Sequence, residues 1–516
     1  MPAPFEAVFR SELPGEPDPP PGPRQVVGAL WSHVAPTPVA APRLLATSPE
    51  LAAELGLPPE LGPDAAQVFG GNRLWPGMQP YAANYGGHQF GHWAGQLGDG
   101  RAIVLGELRG PDGRRHELQL KGAGPTPYSR RGDGRAVLRS SLREFLCSEA
   151  MHHLGVPTTR ALTLVATGDA VVRDMFYDGN SKPEPGAIVC RVAASFLRFG
   201  SYELPSSRGD VGLLRTLVEY TLRHHAPRFL PLTADSVAAW LADVATKTGE
   251  LIAHWLAVGF VHGVLNTDNL SILGLTIDYG PYGWIEDFDA AWTPNTTDLP
   301  GRRYCFGNQP QIGHWNVQQL GIALLPLLDD RSELVEAALA AYRTAYEQAF
   351  TRHYRQKLGL PLGPDPAADA LLADGLQLLA AFPTDMTLFC RGLAAAAELP
   401  AASDLLTAVA EAFYGTPPPA HTTTLAAWLQ RWRTTVGSGA ELATRLRQKN
   451  PKFVLRNWLA QQAIDAAEQG DLAPLQTLQH VLREPFAEQP GREAFAQKRP
   501  DWARDKPGCS ALSCSS

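Results

Sequence analysis

The chain has 516 residues, of which 44% are hydrophobic and 19% charged, so it is long enough for two or more regions with hydrophobic cores. Its net charge of −7 gives no broad attraction to nucleic acid or to an anionic membrane. No segment has the roughly 20 uninterrupted apolar residues of a membrane span, and six cysteines do not make a disulfide scaffold in so long a chain. We therefore expect a cytoplasmic monomer with neither nucleic-acid nor membrane partners.

Patterns along the chain predict an α+β protein. Residues 1–40 are rich in proline and are expected to wrap a surface without forming a core. Residues 41–205 mix short β-like runs with Gly-rich loops and one strong helix, whereas helical periodicity dominates residues 206–500. Residues 501–516 are expected to form a flexible tail that contains cysteines. A small mixed β lobe followed by a large, mainly helical lobe is the order that results.

The first candidate segment runs from Tyr85 to Gly100 and contains glycines at positions 86, 87, 91, 95, 98 and 100. Glycines let backbone amides approach phosphate oxygens closely, because no Cβ intervenes. Gly-rich turns are commoner than phosphate sites, so the glycines alone do not indicate nucleotide binding.

Two predicted strands follow the glycines, Ala102–Leu108 and His116–Lys121, with a Pro-Asp-Gly turn between them. With a period of two, Lys121 shares one strand face with Glu117 and Gln119. Lys121 could contact phosphates as a point charge, or it could be an ordinary solvated lysine.

Helical spacing then predicts a helix from Val137 to Leu154, which carries Glu144 and Glu149. In a kinase-like lobe, one acid on this helix pairs with the strand lysine and holds it toward the phosphates. Periodicity does not choose between the two acids.

The second candidate segment is a predicted hairpin of two short strands, Leu270–Ile272 and Leu275–Ile277. Asn269 precedes the first strand and Asp278 follows the second, so their β-carbons are expected about 5 Å apart at the open end. Two converging oxygen ligands suit Mg²⁺ or Mn²⁺ bound to substrate phosphates. Asp268 stands beside them. The alternative, polar residues that merely cap a buried hairpin, does not explain why three polar groups follow an apolar helix.

The remaining predicted helices are amphipathic or apolar stretches of the C-terminal part. They cover Val237–Phe260, Ser332–Arg352, Ala367–Ala381, Ser403–Phe413 and Pro451–Gln469.

Long runs of the chain resemble the selenoprotein O family, the protein adenylyltransferases with a pseudokinase fold. The runs are YGGHQFGHWAGQLGDGRAIVLGE, LQLKGAGPTPYSRRGDGRAVLRSSLREFLCSEAM, VHGVLNTDNLSILGLTIDYGP and NQPQIGHWN, and the likeness extends from about residue 30 to the C-terminal SCSS. The resemblance implies a protein-kinase-like, two-lobed fold with a small N-lobe and a large C-lobe.

The resemblance also implies an activity of the nucleotidyltransferase class (EC 2.7.7). AMP would pass from ATP to Ser, Thr or Tyr hydroxyls of protein substrates, with UMP from UTP in some members. Mg²⁺ or Mn²⁺ would be required, and the nucleotide would lie inverted relative to ordinary kinases, with its α-phosphorus toward the acceptor.

The family's functional residues map onto this sequence by motif. Those implied to contact the nucleotide are Gly98, Gly100, Arg101, Lys121, Asp133, Gly134, Arg191 and Arg198. Glu144 would support Lys121, Asn269 and Asp278 would bind the metal, and Asp268 would be the general base.

One departure from ordinary kinases bears on the mechanism. Kinases place the catalytic base five residues before the metal-binding Asn, and here that position is Val264. Asp268 is then the candidate that accepts the hydroxyl proton. Two alternatives stay open: a conventional γ-phosphotransferase, and an inactive ATP-binding scaffold, which the missing acid suggests but the retained Lys121, Asn269 and Asp278 argue against.

Cysteines near the C-terminus form a third candidate feature. In the resembling family, Cys305 could pair with Cys509 or Cys514 of the tail and act as a redox switch. Three free thiols are the alternative.

Overall fold

The computed structural model describes residues 5–400, 404–509 and 511–513. The long strands lie before residue 194, and long helices dominate from residue 199 onward. The predicted α+β class is therefore confirmed. None of the helices in these ranges is long and apolar enough to cross a membrane.

In chain order, the first and last strands of the described residues are short, and the longest strands lie between residues 102 and 193. They are β1 (Gly15–Glu16), β2 (Trp31–His33), β3 (Arg43–Thr47), β4 (Tyr81–Ala83), β5 (Gly86–Gln89), β6 (His92–Gln96), β7 (Ala102–Arg109), β8 (Arg115–Lys121), β9 (Arg160–Arg173), β10 (Lys182–Ala193), β11 (Phe260–Val261) and β12 (Gly283–Trp284). Eight of them form one sheet in the order β1-β2-β4-β7-β8-β10-β9-β3, and only β1 and β2 pair in parallel within it. β5 pairs with β6, and β11 with β12.

The central strands of this sheet confirm the predicted pair, since β7 and β8 include both predicted runs. On β8, Lys121 and Gln119 point to the same face because they are two residues apart. Arg191 of β10 lies directly opposite Gln119 in the antiparallel register, so its side chain shares that face. One lysine, one glutamine and one arginine are thus brought together by strand geometry.

The helices of the described ranges are short near the N-terminus and long after residue 198. They are α1 (Val8–Glu12), α2 (Pro49–Glu54), α3 (Ala65–Phe69), α4 (Leu138–His153), α5 (Phe199–Ser207), α6 (Val211–His225), α7 (Ala234–Val258), α8 (Gln309–Leu324), α9 (Ser332–Leu358), α10 (Pro366–Ala381), α11 (Met386–Glu398), α12 (Leu406–Val409), α13 (Pro419–Val436), α14 (Ala440–Lys449), α15 (Asn457–Glu468) and α16 (Ala473–Leu482).

Most predicted helices are confirmed, namely those that correspond to α4, α7, α9 and α10. The stretch 403–413 is helical only over α12 and a short 3₁₀ turn, Ala410–Ala412. The helix predicted from Pro451 begins only at Asn457. Residues 452 and 453 instead donate their backbone N–H groups to the carbonyl of Pro485, which keeps this segment out of the helix.

Helix α4 lies between the sheet and the C-terminal helices. It packs on β9 and β10 on one side and contacts α15 and α16 on the other. Nearly every side chain of α4 is therefore buried, including both of its glutamates. Such burial requires a partner for each acid, since an unpaired buried charge is costly.

The predicted hairpin over residues 270–277 is wrong in detail. Only one antiparallel bridge, between Leu270 and Thr276, joins its two sides. Other segments use the remaining backbone groups: Thr276 donates its N–H to Pro157, and Ile272 donates to Leu197. Asn269 accordingly ends a 3₁₀ turn, Thr267–Asn269, that precedes the bridge.

The N-terminal segment was expected to wrap a surface without joining a core, and the described part of it contradicts this. β1 and β2 extend the main sheet. Phe9, Leu30 and Trp31 are buried in the largest hydrophobic cluster, where the Phe9 ring stacks on Tyr81 with centroids 5.1 Å apart. These apolar side chains between the prolines explain the difference, since burial of each is favourable.

The described part of the C-terminal tail, for which flexibility was predicted, makes backbone hydrogen bonds to residues 294–296. Thr296 donates its backbone N–H to the carbonyl of Leu512 at 2.7 Å, and Leu512 donates its own N–H to the carbonyl of Pro294 at 2.8 Å. Cys305 and Cys509 are both buried free thiols. Burial raises the pKa of Cys509 to about 11, so an exposed, reactive thiol is not found there. Cys514 lies outside the described residues.

Candidate active site

An ion pair links the central sheet to α4. Lys121 at the end of β8 places its Nζ 2.7 Å from Oε2 of Glu144. Of the two acids that periodicity left open, Glu144 is therefore the partner, while Glu149 bonds to Arg160 at 2.9 Å. Burial lowers the pKa of Lys121, and the Glu144 carboxylate opposes this by favouring the charged ammonium.

Arg191 connects several polar groups on the same sheet face. Its Nε donates to Oε1 of Gln119 at 3.0 Å, and its Nη1 donates to Oε1 of Glu144 at 3.2 Å. Nη1 also donates to one carboxylate oxygen of Asp278. The sheet and α4 thus present a rigid guanidinium to the segment that follows residue 260.

Arg198 engages the other oxygen of the Asp278 carboxylate. This arginine precedes α5, donates to the backbone carbonyl of Asp268 at 2.8 Å and lies 4.4 Å from the centroid of the Tyr85 ring. It is almost completely buried. Arg191 and Arg198 together donate hydrogen bonds to both oxygens of the Asp278 carboxylate.

Asp278 is the anionic centre of this cluster of five residues, Lys121, Glu144, Arg191, Arg198 and Asp278, which we call the cation cluster. Burial disfavours its charged form, but Arg191, Arg198 and Lys121 outweigh that effect and hold its pKa well below the usual range. Lys121 Nζ is 3.8 Å from the carboxylate. Three cations surround two acids, and this excess of positive charge favours a bound polyanion such as a triphosphate.

Asp268 differs from Asp278 in its hydrogen-bond partners and in the direction of its pKa shift. Asp268 is only 8% exposed. One carboxylate oxygen accepts from Gln89 Nε2 at 3.2 Å, and the other is buried without a hydrogen-bond partner in the described part of the chain. Burial raises the pKa of Asp268 to about 7, although Arg198 and Gln89 act against it. A carboxylate with such a pKa can accept a proton near neutral pH.

The hairpin of β5 and β6 holds Asp268 in place. The N–H of His88 donates to Oγ1 of Thr267 at 2.7 Å, next to Asp268 in sequence. A Cβ at Gly87 would lie 2.9 Å from the Cβ of Asp268, so this approach requires glycine. One part of the Gly-rich segment therefore supports the candidate base.

The glycines that the resemblance assigns to the nucleotide have packing roles. A Cβ at Gly98 would overlap the Tyr128 ring, and one at Gly134 would overlap the backbone of Gly124. Gly100 approaches the carbonyl of Tyr128 in the same way. Close contact between two loops therefore explains these glycines without a ligand.

The two remaining predicted nucleotide contacts lie in different surroundings. Arg101 is half-buried near Glu144 and Asp278, and forms no ion pair within the described ranges, so its guanidinium is available to a ligand. Asp133 pairs with Arg173 at 2.7 Å, and its side chain is about half exposed. No contact among the described residues joins Asp133 to the cation cluster.

Asn269 and Asp278 could hold a divalent metal. Asn269 donates its Nδ2 to the carbonyl of Val264 at 2.9 Å, which leaves its Oδ1 as an acceptor. Each Asp278 oxygen accepts one arginine and retains a further lone pair. Hard oxygen donors of this kind fit Mg²⁺ or Mn²⁺. No group of three His, Cys, Asp or Glu side chains suited to a metal occurs in the described chain, so phosphates and water would complete the shell.

The chain matches known proteins along most of its length. The family profile described as "Protein adenylyltransferase SelO" covers residues 24–483. The chain belongs to the SelO family. It is 58% identical over 521 residues to the protein nucleotidyltransferase YdiU of Xanthomonas campestris pv. campestris strain 8004, with 99% of each chain covered. It is 55% identical to the YdiU protein of Azoarcus sp. strain BH72, again over 99% of each. As predicted, this SelO-family protein is an enzyme of the nucleotidyltransferase class.

Sequence reasoning about this SelO-family site missed three supporting residues. Gln119 orients Arg191, Gln89 bonds to Asp268, and Tyr85 lies against Arg198. The period of two that placed Gln119 on the face of Lys121 was a usable signal for the first. Gln89 and Tyr85 carry no such signal, since only the folded chain brings them to residues beyond position 190.

We expect Glu144→Gln to lower kcat/KM for nucleotide transfer by about 10²-fold, because Lys121 and Arg191 would both lose the carboxylate that orients them. Steady-state kinetics with ATP would measure this loss. Glu149→Gln is the matched control on the same helix: it breaks the pair with Arg160 and should reduce thermal stability while kcat/KM of the folded enzyme stays near wild type. Equal kinetic losses in both variants would contradict the role of Glu144.

Proposed function

We propose that the enzyme transfers AMP from ATP to Ser, Thr or Tyr hydroxyls of proteins, with pyrophosphate as the leaving group. The acceptor oxygen forms a bond to the α-phosphorus, and the bond from this phosphorus to the β-phosphate bridging oxygen breaks. The hydroxyl proton goes to Asp268. The observation that carries this proposal is the pairing of a carboxylate whose pKa is about 7 with an adjacent cluster of buried cations.

Each residue of the site has a proposed task. Lys121, Arg191, Arg198 and the unpaired Arg101 neutralise charge that develops on the phosphates. Asn269 and Asp278 would hold Mg²⁺ or Mn²⁺, which supplies further neutralisation of the phosphate oxygens when bound. Glu144 and Gln119 fix the directions of Lys121 and Arg191. Gly98, Gly100, Asp133 and Gly134 shape the loops around the nucleotide.

We also propose the two-lobed, kinase-like arrangement and an inverted nucleotide. The eight-stranded sheet with α4 would form the N-lobe, and the helical part would form the C-lobe. Val264 occupies the place of the kinase base, and its carbonyl binds the side chain of Asn269. With no acid there, the reacting phosphorus must lie near Asp268, which supports the inverted orientation that the SelO resemblance implies. UMP transfer from UTP, a monomeric state and a cytoplasmic location stay predictions.

Two parallel reactions test the proposal, one with ATP labelled at the α-phosphate and one with ATP labelled at the γ-phosphate, each with a protein acceptor mixture and Mn²⁺ or Mg²⁺. We expect label on protein from α-labelled ATP only. Stable γ-label on protein would instead show a conventional phosphotransferase. Stabilisation of the enzyme by ATP and metal without transfer of either label would show a scaffold.

A further inference from the structure

A cavity of about 320 Å³ lies away from the cation cluster, where the end of α4 meets α7, α9 and α14. Its polar lining is basic or neutral: His153, His254, His353, Lys357, Lys449 and two glutamines. None of the lining residues is acidic, and none belongs to the cation cluster. The cavity is large enough for a small organic ligand.

Two of the imidazoles are stacked. The rings of His254 and His353 have centroids 4.6 Å apart and planes inclined by 21°. No ring nitrogen of either histidine has a hydrogen-bond partner within the described ranges, and both residues line the cavity. Burial, with Lys357, Arg352 and Lys449 nearby, lowers the pKa of His254 to about 3 and that of His353 to about 4. Neutral imidazoles therefore line the site at pH 7.

Lys357 is the unusual member of the lining. It is 4% exposed, yet no carboxylate of the described chain lies within ion-pair distance of its ammonium. Burial lowers the pKa of Lys357, and the nearby Cys390 thiol, whose own pKa is raised by burial, acts in the opposite direction. A buried ammonium without a counter-charge is costly, and a bound anion would remove that cost.

The two carboxylates that act on His153 of the lining are already engaged. Glu149 of α4 bonds to Arg160 and Ser48. Glu50, close to His153, pairs with Arg483 at 3.3 Å. Within the described ranges, neither Lys357 nor Lys449 forms an ion pair with a protein acid.

We propose that this cavity is a second ligand site, separate from the nucleotide site, for a small phosphorylated molecule. Lys357 and the N–H groups of His254 and His353 donate to phosphate oxygens, and the exposed Lys449 adds charge at the rim. A phosphate group suits these donors better than a carboxylate because it carries up to two charges and three strong acceptor oxygens. Apolar side chains, among them Leu154, Val258 and Phe486, then contact the uncharged part of the ligand.

The test uses inorganic phosphate as the probe and the full-length enzyme with isotope-labelled histidines. We expect saturable shifts in the imidazole NMR signals of His254 and His353, assigned with the His254→Asn and His353→Asn variants. Lys357→Met, a substitution of similar length, should weaken phosphate binding by at least about tenfold, since a hydrogen bond to a charged group is lost. Nucleotide transfer without added phosphate should be unchanged in this variant.

Lys247→Met is the matched control, because Lys247 lies on the same helix as His254 but pairs with Asp243 outside the cavity. Its phosphate affinity should equal that of wild type. If Lys357→Met does not fold, Lys449→Met combined with His353→Asn should weaken binding to the same extent. Signals that respond to phosphate no differently from sodium chloride, or that respond equally in wild type and the cavity variants, would overturn the proposal.

Discussion

Asp278→Asn is expected to abolish nucleotide transfer, with a loss of at least about 10³-fold in kcat. The change removes the anionic centre that Arg191, Arg198 and Lys121 share, together with the proposed metal ligand. It should also destabilise the fold by about 3–5 kcal/mol, since buried cations lose their counter-charge. We therefore expect this variant to lose stability as well as activity. Transfer assays and thermal unfolding would measure the two effects.

The two effects of Asp278→Asn can be separated by a second substitution. Asp278→Asn combined with Arg191→Met removes one of the uncompensated cations, so it should recover part of the lost stability and none of the activity. The Asp278 pKa is depressed in the folded state, so its stabilisation is present above the unfolded pKa of about 4 and is lost as the pH falls further. The stability difference between wild type and Asp278→Asn should shrink accordingly in acid. Near-wild-type transfer by Asp278→Asn would contradict its proposed role.

Asp268→Asn is expected to lower kcat by about 10²–10⁴-fold while the fold and ATP affinity are retained, because asparagine cannot accept the hydroxyl proton. In wild type, kcat/KM should rise with pH through about 7 and level off above it, since the base acts only when deprotonated. The variant should lack this rising limb. A pH series of initial rates at saturating metal would show both features.

Gln89→Leu tests whether the rise of kcat/KM with pH is due to Asp268. Gln89 donates to the Asp268 carboxylate and thereby favours its ionised form. Its removal should raise the pKa of Asp268 and move the rise of kcat/KM to higher pH. At alkaline pH, Gln89→Leu should lose less kcat/KM than Asp268→Asn does. An unshifted limb in Gln89→Leu would assign the titration to another group.

Local patterns were sufficient for the elements that carry the site. The alternation along β8 placed Lys121 and Gln119 on one face, and the 3.6-residue period of α4 located the helix with both candidate acids. Local patterns failed where distant segments compete for the same backbone. The hairpin at 270–277 is reduced to one bridge because residues 157 and 197 take its hydrogen bonds, and the proline-rich N-terminus supplies sheet strands.

The candidate site residues could therefore be predicted from short stretches of sequence, since strand and helix periods and adjacent motif residues are properties of neighbouring positions. The electrostatics of these residues could not be predicted in this way. Arg191 and Asp278 lie 87 positions apart, and Gln89 and Asp268 lie 179 apart. Burial and contacts over such separations determine that Lys121 pairs with Glu144 and not with Glu149. They also determine that two arginines bind Asp278 and that the pKa of Asp268 is raised. Packing of the whole chain establishes these contacts.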